Sequence, residues 1–240
     1  MVAEQFEGEV RSAQELEAHP PEYRTAISKI VVSHAVNELK GALTFDEPAI
    51  RLAPTPKFKW LVSRNTMEEF GHHILFARLA DELHAPWKDK KPLTLFDFPV
   101  VDWVDFGVIK ATVDIAELIE LDDLVRCTYL PLRKVAKDTY PEEKFHVGLG
   151  REILTTLLEE DPGNRTRVNA TLSRLFPEAL DFFGAPHSKN NELFVRWGLK
   201  RRSNSDMRAE YVRQVREFVE KYSLTMPDIP AKYAAERSEA

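Results

Sequence analysis

The sequence has little of three features that would indicate particular classes of protein. It contains one cysteine, Cys127, which excludes an intrachain disulfide framework and a zinc site built from cysteines. Its nine glycines are too few for a fold with many tight β-turns. It lacks any run of about 18 uninterrupted apolar residues, so we expect no membrane span. The acidic N-terminal segment also lacks the apolar core of a signal peptide, which indicates a cytoplasmic setting.

Charge and length narrow the class further. The chain has 33 basic and 39 acidic residues, and its net charge of -6 lacks the basic footprint of a nucleic-acid-binding protein. Its 240 residues lie at the upper end of what one hydrophobic core supports. We therefore expect one domain over residues 1–240, with loose tails at 1–20 and 228–240, and no nucleic-acid or membrane partner.

Apolar residues recur at helical spacing along most of the chain, and no alternating strand pattern of useful length occurs. Four long helices are predicted over residues 21–44, 57–83, 102–127 and 130–159. Prolines and polar turns separate them, because proline does not continue a helix. Shorter helices are expected near 164–183, 190–199 and 205–223. The expected fold is all-α, a four-helix bundle with additional C-terminal helices.

Two copies of a Glu-x-x-His motif occur on alternate predicted helices. Glu69 and His72 lie on the second helix, and Glu143 and His146 lie on the fourth. Residues three apart on a helix project from one face, so each copy offers a carboxylate and an imidazole to one point. A single copy can arise by chance. A pair on alternate helices is how bundles build a two-metal site, together with one carboxylate from each remaining helix.

The first and third helices must then each supply an inward acid. In an antiparallel hairpin, two residues lie at one height when the turn is midway between them. Glu38 and Glu69 satisfy this condition across the first turn. On the third helix, Asp114 matches Glu143 across the next turn, whereas Glu117 fits nearly as well with the histidine of the second motif. The six candidate metal ligands are Glu38, Glu69, His72, Asp114, Glu143 and His146.

The chemistry of these six side chains favours a pair of metal ions. A buried, unpaired carboxylate costs on the order of several kcal/mol, and two divalent cations cancel the charge of four carboxylates. Oxygen and nitrogen donors without thiolate suit iron or manganese, with open positions for oxygen chemistry. We expect two iron ions, with manganese in place of one as an alternative.

Other charged and reactive residues receive ordinary roles. Glu68 and Glu142 each precede a candidate ligand by one residue and point about 100° away, so they are expected to lie behind the ligands or to face solvent. Cys127 is expected to be a packing residue. The basic run 200–202 is expected to face solvent, with phosphate binding as the alternative. The histidines expected not to bind metal are His19, His73, His84 and His187.

Several segments of the sequence occur together in an order that resembles a known protein family. They are HAVNELKG at 34–41, RLAPTP at 51–56, EFGHH at 69–73, Asp114, CTYLPLR at 127–133 and EEKFHVGLG at 142–150. In order and interval they resemble the catalytic subunits of the phenylacetyl-CoA epoxidase, in the phenylacetic acid catabolic protein family, over roughly residues 30–150.

The resemblance implies a ferritin-like di-iron fold, an aryl-CoA thioester substrate, O₂ as oxidant and a separate reductase as electron donor. It places the family's ligands on the six residues named above and favours Asp114 over Glu117. The implied function is a di-iron monooxygenase subunit that epoxidises or hydroxylates a phenylacetyl-CoA-like thioester. Two alternatives remain, a metal-free scaffold subunit of such a complex and a ferritin-like ferroxidase.

We expect the chain to act in a complex. A single cysteine cannot ligate an iron–sulfur cluster, and the sequence lacks a Gly-rich dinucleotide fingerprint, so electrons must come from a docked reductase. A scaffold subunit or a second copy of the chain is the other expected partner. The helices near 190–223 are the predicted docking surface, with packing against the bundle as the alternative. The apolar residues of this predicted surface are Phe194, Trp197, Tyr211, Val215 and Phe218.

Overall fold

The computed structural model describes residues 5–233, and within that range the chain forms seven α-helices and no β-strand, which confirms the all-α prediction. The bundle helices are α1 (Pro21–Gly41, the π-helical turn Ala42–Asp46 and Glu47–Leu52), α2 (Pro56–Glu82), α3 (Trp103–Val108, the π-helical turn Ile109–Val113 and Asp114–Leu124) and α4 (Leu130–Glu160). The later helices are α5 (Asn164–Leu180), α6 (Lys189–Arg196) and α7 (Asn204–Lys221). Across the described residues, none of these helices is long and apolar enough to cross a membrane.

Prolines and polar caps set the helix boundaries close to the predicted positions. Pro21 and Pro56 lie in the first turns of α1 and α2, where a missing backbone N–H leaves no helical hydrogen bond unmade. The Thr55 hydroxyl accepts the amide of Phe58 at 3.2 Å, which caps α2. Asp102 caps α3 in the same way through its carboxylate.

Helix α1 extends further than predicted. We expected it to end near residue 44 because Pro48 follows closely. Instead, the π-helical turn Ala42–Asp46 carries the helix onward, and Pro48 lies in the first turn of the segment that ends at Leu52. A proline in that position disrupts no established hydrogen bond, so it does not end the helix.

The bundle is made of two helical hairpins. Helix α1 packs on α2, α3 packs on α4, and the two motif-bearing helices α2 and α4 also contact each other. A long connection over residues 83–102 joins the hairpins, where the sequence predicts one at 85–100 between the second and third helices. The apolar core of the bundle is divided into two clusters, one around Tyr23 and Phe76 and the other around Phe58 and Ile153. The candidate ligands lie between these clusters.

Helices α5 and α7 cover one flank of the bundle and pack against α3. Tyr211, Val215 and Phe218 are buried in this contact, and Phe194 and Trp197 are partly buried against the other end of the bundle. For the partly buried Phe194 and Trp197, a docking role stays a prediction. For Tyr211, Val215 and Phe218, the docking prediction is wrong, because the chain buries them against the bundle. Their helical spacing marks a face that the chain itself covers, because burying it against α3 removes apolar area from water.

The basic run 200–202 differs in part from expectation, because only Arg201 faces solvent as predicted. Lys200 is buried and ion-paired with Glu120. Asp123, fully buried on α3, accepts the backbone amides of Arg201 and Arg202 at 3.0 Å. The run thus attaches the segment before α7 to the bundle, since buried acids need such partners.

The described parts of the expected tails pack on the bundle. Val10 is 1% exposed, and its amide donates to Thr128 O at 3.0 Å. Leu16 and Tyr233 are also buried. Apolar side chains at these positions account for the packing. Residues 1–4 and 234–240 lie outside the described residues, and a single domain over 1–240 stays a prediction.

Candidate metal centre

The six predicted ligands lie together in the middle of the bundle, between its two apolar clusters. Every one of them is buried, with Asp114 the most exposed at 9%. They form two overlapping groups, in each of which one ligand atom per side chain lies within 4.8 Å of the others. The groups are Glu38, Glu69, His72 and Glu143, and Glu69, Asp114, Glu143 and His146. The glutamates of the two motifs belong to both groups, so they lie between two possible metal positions.

Each motif histidine turns one ring nitrogen away from the cluster, toward a glutamate. His72 Nε2 lies 2.8 Å from Glu142 Oε2, and His146 Nε2 lies 3.0 Å from Glu68 Oε2. The glutamate that precedes each motif therefore orients the histidine of the other motif. A carboxylate on the outer nitrogen fixes the ring of a metal-binding histidine. Of the two positions predicted for Glu68 and Glu142, the structure shows the one behind the candidate ligands.

The inner nitrogens of the two histidines have no aligned hydrogen bond. His72 Nδ1 lies 3.0 Å from Glu143 Oε1, and His146 Nδ1 lies 3.2 Å from Glu69 Oε1, yet neither contact is aligned as a hydrogen bond. Leaving a buried polar atom unsatisfied costs about 1–3 kcal/mol. Carboxylate and imidazole donors without thiolate are what iron or manganese prefers. The residues present therefore fit a pair of such ions.

Two charged residues of the cluster were not predicted. Lys110 is 2% exposed, and its Nζ lies 2.7 Å from Glu69 Oε1, 3.0 Å from Asp114 Oδ2 and 3.1 Å from Asp46 Oδ1. Both Lys110 and Asp46 lie on π-helical turns, which displace side chains from the regular helical face. The signal available for Lys110 was one charge inside the otherwise uncharged run 106–113. Asp46 gave no signal, because it lay in an expected break.

Crowding separates the pKa values of the cluster. Burial lowers the pKa of His72, but the adjacent Glu143 carboxylate outweighs this and raises it to about 10. Burial raises the pKa of Glu143, but His146 and His72 together outweigh it and bring the value to about 2. Burial raises the pKa of Asp46 to about 7, even beside the Lys110 ammonium. Without metal, protonated histidine and Lys110 balance the carboxylates.

Asp114 and Glu117 both reach the cluster but have different neighbours. Asp114 belongs to one of the four-residue groups, whereas Glu117 Oε1 lies 3.1 Å from His34 Nδ1. The same nitrogen is 3.8 Å from Glu38 Oε1, and the His34 ring stacks on Phe76. His34 was not among the predicted site residues, although it lies one helical turn before Glu38. It holds Glu117 at the edge of the cluster.

The remaining singled-out residues have the ordinary roles expected of them. His73 Nδ1 lies 2.7 Å from Ala35 O, outside the cluster. Cys127 is 1% exposed, its thiol donates to Tyr129 O at 3.3 Å, and burial raises its pKa to about 12. A buried thiol of this kind is a packing residue.

A small cavity of about 30 Å³ adjoins the carboxylates. Its lining includes the carboxylates of Glu38 and Asp114 and the aromatic rings of Phe45, Phe96 and Phe182. The small volume and the aromatic lining leave little room for water at the carboxylates, and a site with little water strengthens electrostatic interactions.

Comparison with known proteins gives two matches. Residues 9–239 match the phenylacetic acid catabolic protein family. The chain is also 27% identical over 236 residues to one of the subunits of the 1,2-phenylacetyl-CoA epoxidase of Escherichia coli (strain K12). That alignment covers 92% of this chain and 76% of the relative.

Proposed function

The chain belongs to the phenylacetic acid catabolic protein family, as its motifs predicted, and from this premise we propose that it is a di-iron monooxygenase subunit. The observation that carries the proposal is the complete set of four carboxylates and two imidazoles, in two groups that share two glutamates. In the absence of metal, even with Lys110 beside the carboxylates, the inner nitrogens of both histidines and one oxygen of Asp114 have no hydrogen bond, and a bound metal would supply their partner.

We propose a division of the six residues between two ions. Glu38 and His72 would hold one ion, Asp114 and His146 would hold the other, and the two motif glutamates would lie between them. Two iron ions there would supply the activation of O₂ for epoxidation or hydroxylation of a phenylacetyl-CoA-like thioester, and manganese in place of one iron is the alternative. The chain's own residues orient the histidines through Glu68 and Glu142.

The choice of Asp114 rather than Glu117 as the α3 ligand rests on their surroundings. Asp114 forms a group with the whole second motif, Glu143 and His146, and with Glu69, whereas Glu117 forms a separate group with His34 and Glu38. We choose Asp114 because its group contains a complete Glu-x-x-His motif. Glu117→Gln should therefore retain iron, and Asp114→Asn should lose at least one ion per chain, as measured by elemental analysis.

We propose that electrons come from a separate reductase, and that a scaffold subunit or a second copy of this chain completes the assembly. The support is chemical. The one cysteine is buried with its thiol bound to a backbone carbonyl, and a lone thiol cannot hold an iron–sulfur cluster. The Escherichia coli relative is one component of a multi-component enzyme by its name, which agrees with an assembly.

One observation favours a second candidate, a metal-free structural subunit of the same family. Lys110 contacts three carboxylates and so supplies part of the charge that metal ions would supply. A metal-free protein needs such an internal cation, because buried acids without a counter-charge are costly. Iron content distinguishes the two candidates directly.

The test loads the purified chain with Fe(II) without oxygen, removes excess iron, and measures bound iron and thioester-dependent O₂ uptake with a chemical reductant. We expect about two ions per chain, the number a paired-motif bundle holds. Glu69→Ala and His146→Ala should abolish iron binding and uptake while the helical content is retained. His73→Ala is the matched control and should keep both.

Failure to bind iron in the unmodified chain would favour the metal-free candidate. Formation of an iron mineral core, with no thioester-dependent O₂ uptake, would favour a ferroxidase.

A further inference from the structure

A third group of possible metal ligands shares one residue with the six candidates. It consists of His34 and Glu38 of α1 and Glu117 of α3, and one ligand atom of each lies within 4.8 Å of the other two. Residues four apart on a helix share a face, so α1 presents an imidazole and a carboxylate together. Glu38 also belongs to the first four-residue group, so this carboxylate joins the third group to the candidate metal centre.

The third group contains a buried oxygen without a partner. Glu117 Oε1 is shielded from solvent and has no aligned hydrogen bond, although His34 Nδ1 lies 3.1 Å away. The His34 side chain is 9% exposed, and its ring stacks on Phe76 with centroids 4.6 Å apart, which fixes the plane of the imidazole. A buried acceptor without a partner is costly, and a cation bound by the group would supply that partner.

The two glutamates of the group also lack a fixed counter-charge. Lys110 contacts other carboxylates of the cluster, and within residues 5–233 no lysine or arginine forms an ion pair with Glu38 or Glu117. The basic side chain within 4 Å of both is His34. Two carboxylates and one imidazole, without thiolate, are donors that suit Fe(II) or Mn(II).

The third group lies where a larger chamber meets the small cavity at the carboxylates. His34 lines the chamber, which has a volume of about 390 Å³, and Glu38 and Glu117 line the small cavity. The two cavities adjoin, because Asn37 lines both. The lining of the chamber is mostly polar and includes the exposed Ser33, so the chamber suits a hydrated ion that arrives from solvent.

We propose that His34, Glu38 and Glu117 form a loading site, which binds a third divalent ion, Fe(II) or Mn(II), and passes it to the candidate metal centre. Three protein ligands, one of them shared, should hold this ion less tightly than the centre holds its own two. Glu38 stays bound to an ion that moves inward, while His72 and the motif glutamates replace the other two ligands. The proposal rests on the proposed function for the occupancy of the centre by metal, and it adds two ligands outside the six.

The site is tested by titrating the metal-free chain with Mn(II) and measuring the free ion by electron paramagnetic resonance. The unmodified chain should bind about two ions tightly and one more weakly. His34→Gln and Glu117→Gln should each lose the weak ion and keep the tight ones, because neither residue belongs to the four-residue groups. His73→Gln, at a histidine that contacts a backbone carbonyl outside the cluster, is the matched control and should keep all of them.

The loading role is tested by the rate at which iron becomes protected from a chelator. Fe(II) is mixed with the metal-free chain without oxygen, ferrozine is added after a set delay, and the protected iron is counted. His34→Gln and Glu117→Gln should slow protection by about tenfold or more, since loss of a direct ligand costs at least as much as loss of an outer contact. The final count should stay near that of the unmodified chain. An unchanged rate in both variants would overturn the loading role.

The outcomes of the Mn(II) titration separate this proposal from the proposed function. Tight binding without a weaker third ion in the unmodified chain, or a third ion that both variants keep, would overturn the loading site and leave the metal centre standing. The result for the unmodified chain decides even if circular dichroism shows that a variant has lost its helical content. Absence of any bound Mn(II) or Fe(II) would overturn both proposals.

Discussion

Two interiors of this protein are built from opposite kinds of side chain. At the level of the candidate ligands, the bundle buries Lys110 among carboxylates, together with two histidines whose inner nitrogens are unpaired. Between α3 and the C-terminal helices, the chain buries Phe176, Tyr211 and Val215, each fully inaccessible to solvent. The first interior is stable only while its charges are balanced, whereas the second is stable because apolar area leaves the water.

One of these interiors maintains the fold, and the other is adapted for chemistry. The charged layer interrupts the apolar core of the bundle, so it contributes little hydrophobic stabilisation. The apolar clusters on either side, and the contact with α5 and α7, hold the helices in place without it. We therefore expect loss of metal to leave the fold intact and loss of apolar packing to destabilise it.

The largest expected effect on stability is in the apolar interior. Phe176→Ala should lower the free energy of unfolding by about 3–5 kcal/mol, because it leaves a cavity beside Tyr211. The loss should be the same with and without iron, as measured by urea denaturation. Trp60→Ala, at a side chain 64% exposed, is the control and should change little. A loss at Phe176 that depended on iron would contradict the separation of the two interiors.

The next effect lies in the charged interior and depends on metal. Lys110→Met should destabilise the metal-free chain by about 3 kcal/mol, because it leaves three carboxylates without their cation. The loss should be smaller in the iron-loaded chain, where metal ions replace the lost charge. Lys134→Met breaks an exposed pair with Asp138 and should cost under about 1 kcal/mol in both states. Equal destabilisation by Lys110→Met with and without iron would count against a metal centre here.

A smaller effect is expected behind the ligands. Glu68→Ala should weaken Mn(II) binding about 10–100-fold, because the carboxylate that orients His146 is lost. Stability of the metal-free chain should change little, since Glu68 is partly exposed. The control is Glu152→Ala, which removes from α4 the exposed carboxylate that pairs with Lys57 of α2. Mn(II) affinity that did not change in Glu68→Ala would show that His146 does not depend on this contact.

The smallest effect is expected at the junction between the loop before α4 and the end of α6, where the Thr128 hydroxyl donates a hydrogen bond to Trp197 O. The neighbouring Cys127 is 1% exposed, and burial raises its pKa to about 12. At about pH 8, only about one part in ten thousand is thiolate, so Ellman's reagent should react with the folded chain only as it unfolds. Fast reaction without global unfolding, measured against circular dichroism, would show that the junction opens locally.

The candidate ligands could be predicted because the residue spacing that brings them together is visible in short segments of the sequence. The spacing within each Glu-x-x-His motif places both side chains on one helical face. Hairpin symmetry then selects Glu38 on the first helix and leaves Asp114 and Glu117 on the third, between which the family resemblance favours Asp114. Their assignment as ligands stays a prediction, although the structure brings them together. Lys110 and Asp46 escaped prediction because π-helical turns shift the face on which a residue lies.

In the C-terminal third, local sequence predicted the helices but not what their apolar faces contact. Its apolar spacing predicted helices near the observed positions, but the same spacing serves equally for an internal contact and for a docking surface. Only packing against α3 decided that Tyr211 and Val215 are internal. Likewise, three neighbouring basic residues look alike in sequence whether they face water or, as at 200–202, bind buried acids.

The sequence by itself determined the helical class, most helix boundaries, the family and the set of candidate ligands, because periodicity, caps and short motifs depend on neighbouring residues. Only the packing of the helices settled which histidine each outer glutamate orients and which cation lies among the carboxylates. Those contacts join residues far apart in the chain. Their geometry follows from how whole helices pack, and no local pattern encodes it.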